Sequence, residues 1–314
     1  MLFAAMGEYP IAASQDLRRI LALTSREYTP AQVDVLQTAW TAYLRTRTGT
    51  MRLKPAQAIA LADLHAYRRL QAPIRVGGGK TLVTFLAPVV LNSKRPLLIV
   101  PASLVEKTRR DLQDASRDWR VPFNLHVISY EALGRESAAK ELETREPDLI
   151  IADEAHRLKN RKAACMRRVQ RQIKNNPDLV FIPLSGTLVK DGINDFAHLS
   201  AWSHKEHSPL PLNPHTVAEW AGALDEKVRP GKRRGLGVLS QAFGAHDVEG
   251  ARRGFFQRYT RTPGVVSTAG ETLDCGIDIN LIGCELGPGA QKVFNQLRNW
   301  ANPDGVELAD SMQA

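Results

Sequence analysis

Cysteine is scarce. The 314 residues hold three, Cys165, Cys275 and Cys284, and no CxxC pair among them. That excludes a zinc ribbon and a disulfide framework, and it suits a reducing compartment. No apolar run approaches the roughly 18 residues that a membrane span needs. The opening MLFAAMGEYP lacks the basic start and long apolar core of a signal peptide. There is no internal repeat. The expected location is the cytoplasm, with no membrane partner.

What is present points elsewhere. Hydrophobic residues make up 43% of the chain, enough for a core and too many for wholesale disorder. The net charge of +9 suits a polyanionic partner, nucleic acid first, although a merely basic surface gives the same number.

The first 54 residues read as a helical extension. Ser14 is placed to cap QDLRRILAL, and Thr29 followed by Pro30 opens AQVDVLQTAWTAYL. From residue 55 helices alternate with the short apolar strands PLLIVP, LHVISY, DLIIAD and LVFIPLSG. Continuous apolar strands between helices imply an α/β fold, a parallel sheet sandwiched by helices. EALGRESAAKELE reads as one helix, and Pro88 predicts a kink or an early end in the helix that contains it. Residues 203–262 read as a loop-rich basic insertion around a helix near VAEWAGALDEK. IDINLIGCEL and GAQKVFNQLRNW supply a last strand and a closing helix.

Two motifs carry chemistry. GGGKT, Gly77 to Thr81, stands at a helix start. Glycines let backbone N–H groups turn toward phosphates, and the helix N-terminus adds positive potential. Lys80 is placed to reach the β- and γ-phosphates and Thr81 to hold Mg²⁺ through its hydroxyl; an ordinary flexible turn is the competing reading. Gly77, Gly78 and Gly79 form the turn, while Ile74 stands where the full GxxxxGK[ST] pattern has glycine. Far downstream, the strand LIIA runs into Asp153 and Glu154. Adjacent acids at the edge of a core are costly unless a cation or a reaction uses them. Asp153 binds the metal and Glu154 polarises the water that attacks the γ-phosphate. The plainer alternative is a helix cap following a strand.

DEAHRLKN resembles motif II of the superfamily 2 helicases, with RLKN similar to the Snf2 branch. LKPAQAIAL, LLIVPASLVEKTRRDL, VISYEAL and PLSGTLVKDGINDFAHLSAW resemble further motifs in the family's order. VGGGKT, RPLLIVPASL and SGTL together look most like helicases encoded by tailed phages, which implies the host cell cytoplasm. The resemblance implies a RecA-like P-loop NTPase lobe over 55–202, with ATP and Mg²⁺ as cofactors and DNA, single- or double-stranded, as partner; RNA is the lesser candidate. It implies that Gln57 reads adenine, and that His156, Ser185, Gly186 and Thr187 couple hydrolysis to movement. Pro101, Ala102 and Ser103 would lie against a DNA strand, and Tyr130 would pack. Leu188 departs from the pattern's proline and Thr108 from its tryptophan; neither removes a catalytic group.

Such motors close a second RecA-like lobe over the nucleotide, and its arginines stabilise the transferring phosphoryl group. No second alternation of strands and helices follows residue 262. The expectation is an ATPase lobe of a helicase or translocase, with 263–314 opening a linker and the second lobe supplied by more chain or by another protein. A single-lobe regulatory module that holds nucleotide or DNA without cycling is the alternative. A small-molecule kinase shares the loop but needs neither DEAH nor SGT.

Lesser signals have their own competing readings. His204 and His207 have a metal-like spacing, yet SHKEH reads as an exposed loop. Lys227 to Arg234 either grips phosphates or forms a solvated loop. Phe255, Phe256 and Tyr259 either stack on bases or pack on the sheet.

Overall fold

The structure, a computed structural model, describes residues 9–268 except 76, 139, 187–191 and 230. Thr187, Cys275, Cys284, the strand expected over 277–286 and the helix over 289–300 lie outside the described residues.

Four strands carry the site. β1 (Pro96–Val100), β2 (His126–Ser129), β3 (Leu149–Asp153) and β4 (Val180–Leu184) are all parallel, in the order β2-β1-β3-β4. Each is the apolar run that the sequence marks. Beyond β4 the sheet is extended by single bridges, Ala72 to Leu184 and Gln71 to Val265. The residues that lead into the glycine turn therefore lie beside β4, and a returning segment near Val265 lies outside them.

β1, β3 and β4 are almost wholly apolar because both faces are covered, whereas β2 fully buries only Val127 and Ser129. Leu97, Ile99, Ile150 and Phe181 face one core, and Leu98, Val100, Ile151 and Ile182 face the other. Each fully buried side chain of this size contributes roughly 1.5–3 kcal/mol.

The helices run in chain order as α1 (Gln15–Ala22), α2 (Pro30–Leu44), α3 (Pro55–Tyr67), α4 (Lys80–Val90), α5 (Val105–Ala115), α6 (Tyr130–Gly134), α7 (Glu141–Arg145), α8 (Ala164–Asn175), α9 (Ile193–His204), α10 (Pro214–Leu224), α11 (Val238–Ala242) and α12 (Val248–Thr260). Ser14 caps α1 through Leu17 N, and Thr29 exchanges capping bonds with Gln32 at the start of α2. α4 continues past Pro88 and ends at Val90, an early end after the proline. The single helix expected over 131–143 is instead broken. Gly134 closes α6, Arg135 is extended, and α7 starts afresh at Glu141.

Residues 203–262 hold α10, α11 and α12 as well as loops. Phe255 packs its ring 6.0 Å from Trp220 and 5.6 Å from Phe243, so this aromatic is spent on the interior. His204 departs from its expectation as well. It closes α9 and is 1% exposed, not on an open loop. Neither ring nitrogen has a hydrogen bond of normal geometry, although Gly264 lies alongside. Among the described residues no group of three His, Cys, Asp or Glu is placed to hold a metal. No described helix is long and apolar enough to cross a membrane.

A buried acid ties distant segments together. Asp63, fully buried in α3, is 3.1 Å from Arg26 Nε and accepts bonds from Tyr28 Oη (2.9 Å) and Gly264 N (2.9 Å). Burial raises its pKa, and Arg26 pulls it back toward the ionised form. Asp63→Ala strands a largely buried guanidinium, and breaking such a pair costs about 3–5 kcal/mol; chemical denaturation should show that loss with an unchanged m-value.

His204 adds an acid sensitivity. Burial first, then Arg69, lowers its pKa to about 3 from 6.5. The unfolded chain therefore takes up the proton at a pH where the folded chain refuses it. Stability is full above pH 6.5 and falls as the pH drops toward 3, by up to about 1.4 kcal/mol per unit. Thermal melts at pH 7.5 and 5 should show a larger acid loss in the wild type than in His204→Gln.

Candidate nucleotide site

The candidate residues meet at the carboxyl ends of the strands, where open α/β sheets bind ligands. The turn before α4 is built on two glycines in the left-handed region, Gly77 (φ 81°) and Gly79 (φ 86°). A side chain at either would be strained. Lys80 is the first residue of α4, and Thr81 is exposed in its first turn. The Lys80 ammonium donates to Ile74 O at 3.0 Å and lies 3.8 Å from Glu154 Oε1. The two motifs separated in sequence are thus in contact.

Glu154 is held in an unusual way. Its backbone is left-handed at φ 53°, a conformation that costs a non-glycine residue roughly 1–3 kcal/mol and clusters at functional sites. The preceding Asp153 is the last residue of β3, and its Oδ1 accepts from Glu154 N at 3.0 Å. Glu154 Oε2 lies 3.3 Å from His156 Nδ1 and accepts from Ser185 Oγ at 3.4 Å. His156 Nδ1 and Ser185 Oγ are 3.3 Å apart. A triangle of side chains therefore links the end of β3 to the end of β4. Gly186 completes it: a Cβ there would sit 3.5 Å from Lys80 Nζ.

The electrostatics match this crowding. Burial, then the neighbouring charge of Glu154, raises the Asp153 pKa, and Lys80 partly opposes the shift. A hard cation offsets the same cost. Hydroxyl and carboxylate donors such as Thr81 and Asp153 suit Mg²⁺, which keeps much of its shell as water and phosphate oxygen. Tyr130, 4% exposed, packs as expected and donates to Asp153 O at 2.7 Å.

Sequence reasoning missed two contributors, Lys54 and Glu131. The Lys54 ammonium donates to Gly77 O at 3.0 Å. Gln57 is buried and bonds within the chain, its Nε2 donating to Gly79 O at 3.0 Å. Glu131 receives Ala102 N at 2.9 Å and Arg157 Nη1 at 2.7 Å. It thereby fixes the end of β1, where Pro101 is buried while Ala102 and Ser103 are exposed. The LKPAQ segment was the available signal for Lys54; nothing local marks Glu131.

Residues 50–190 match the family model of the type III restriction enzyme res subunit, a helicase superfamily 2 domain. The match spans 141 of the 314 residues, and the parallel strands between helices make an α/β fold. Among solved structures the lobe is similar to the SWI2/SNF2 ATPase core of Sulfolobus solfataricus in complex with dsDNA, at 18% identity and a TM-score of 0.44. That match covers 70% of this chain and 45% of that one. A second similarity is to the UvsW helicase of bacteriophage T4, at 16% identity and a TM-score of 0.40, covering 56% and 66%. No curated protein matches the sequence.

Lys80→Ala removes the ammonium that faces Glu154. Charge-assisted bonds of this kind contribute about 1.5–3 kcal/mol, so nucleotide affinity measured by calorimetry should fall by about 10- to 100-fold. Unchanged affinity would overturn the assignment of the loop.

Proposed function

We propose that the lobe hydrolyses ATP and couples the hydrolysis to movement along DNA, as a motor of the Snf2-like branch. The contact between Lys80 and Glu154 across the glycine turn carries this reading. Lys80 holds the β- and γ-phosphates. The Gly77–Gly79 turn and the first turn of α4 surround them with N–H groups. Mg²⁺ held by Thr81 and Asp153 would screen the phosphate charge. Glu154 orients the attacking water and accepts its proton. Its carboxylate is braced by His156 and Ser185, so that a change at the γ-phosphate is felt at the end of β4.

The net charge of +9 supports a polyanionic track. Ala102 and Ser103, exposed where β1 ends, are the proposed contacts to one strand, with the Ser103 hydroxyl facing phosphate. Because the Ala102 amide is spent on Glu131, Ser103 carries the greater share. A second RecA-like lobe, in the same polypeptide or another, supplies the arginines that complete the transition state. A regulatory lobe that holds nucleotide or DNA but never cycles is the alternative reading.

Two measurements separate these readings. ATP hydrolysis, assayed with and without single- and double-stranded DNA and RNA, should rise with DNA; a flat rate under all conditions favours the non-cycling module. Glu154→Gln should keep nucleotide affinity within about threefold while turnover drops about 10²- to 10⁴-fold. A variant that loses binding and turnover together would remove Glu154 from its catalytic role.

A further inference from the structure

The basic charge of the chain is concentrated in one place. Residues 157–174, which follow the paired acids and run through most of α8, hold eight of the 42 lysines and arginines and none of the 33 aspartates and glutamates. All other residues together carry +1 of the +9. Like charges four residues apart on a helix repel each other, and a surface that needed only solubility would intersperse acids. The fold sorts these cations. Met166, Val169 and Gln172 face inward, and Arg168 is spent on the carbonyls of Leu133 and Arg135, which anchors α8 to the end of α6. Arg157 and Arg171 pair with Glu131 and Glu143. Lys159, Arg161, Lys162, Arg167 and Lys174 are exposed, and among the described residues none of them has an ion pair or a side-chain hydrogen bond.

We propose that this face is a second nucleic-acid surface, which holds the phosphate backbone of duplex DNA. It rests on the reading of DNA as partner given above and adds a contact outside the nucleotide edge. Its position suits the task. Glu131 takes both Ala102 N and Arg157 Nη1, so the basic run begins beside the end of β1. From there α8 leads back toward the start of β4. Arg167 and Lys174 stand on its exposed side, separated by about 10 Å of helix rise. The chemistry disfavours other polyanions. Residues 157–174 contain no aromatic side chain, so the bases of a single strand have no platform to stack on. No apolar residue of the run is exposed, so the face has nothing to insert into a lipid surface. A duplex carries one charge per roughly 1.7 Å of its axis, which suits cations that read no base.

The test uses the full chain without nucleotide and a labelled DNA duplex of mixed sequence, with affinity measured over a series of salt concentrations. Combining Lys162→Gln, Arg167→Gln and Lys174→Gln should lower the slope of log affinity against log salt by about 3 and weaken duplex binding about tenfold or more at physiological salt. A control combining Arg18→Gln, Arg47→Gln and Arg229→Gln removes the same charge from three separate exposed sites and should weaken binding by less than about threefold. Equal losses in the two variants would assign the effect to net charge and overturn the proposal. Single-stranded oligothymidylate should bind the first variant within about threefold of wild type; a loss as large as that for duplex overturns the assignment to duplex. Polyglutamate should displace the duplex from wild type far less well than unlabelled duplex does; equal displacement gives the face to an acidic protein instead. Melting curves without DNA check folding, and Arg167→Gln alone, with a slope lower by about 1, serves if the triple variant does not fold. A wild-type chain that binds no nucleic acid overturns the reading of DNA as partner as well. A wild-type chain that binds duplex while the triple variant keeps its slope overturns this proposal alone.

Discussion

Two carboxylates side by side at the end of a buried strand repel each other, and the chain is arranged around that repulsion. Asp153 is pushed toward its neutral form by burial and by Glu154. Lys80 is brought from a distant helix to within 3.8 Å of Glu154, and His156 and Ser185 close in from the other side. Each partner arrives on a different element. The parallel sheet is what makes this possible, because it delivers the ends of β1, β3, β4 and the glycine turn to one edge. A fold that only needed a core could have ended β3 in an apolar residue.

The interior around this edge explains its rigidity. Strands apolar on both faces leave no freedom of register, since a one-residue slip would exchange the two cores. The strained backbone at Glu154 is tolerated on such a base. Helices α10 to α12 pack together through Trp220 and its ring partners, and Arg19 of α1 donates to the carbonyls of Glu206, Ser208 and Leu210.

Much of this was legible in the sequence, and the reasons are physical. Runs such as LLIV and LIIA are recognisable as doubly covered strands because nothing else needs so many branched apolar residues in so short a stretch. GGGKT and the paired acids announce themselves because their chemistry is awkward anywhere else. The break between α6 and α7 escaped because AAKELE has strong helical composition and one extended residue, Arg135, decides the outcome. His204 escaped because SHKEH is polar in composition, whereas its burial depends on Gly264, sixty residues away in the chain. The contacts of Gln57 with Gly79 and of Glu131 with Ala102 and Arg157 were hidden for the same reason: only the folded chain brings these partners near.

The returning segment at residues 264–268 has one more consequence. Gln71 N donates to Gly264 O, Val266 N to Gln71 O, and Arg75 N to the Thr268 hydroxyl. This ribbon runs parallel to the residues that feed the glycine turn, so tension applied along the chain past Thr268 would load these bonds in shear, together and not one by one. Such a seam transmits force stiffly. A tug there would reach the glycine turn within a few residues, without passing through the core.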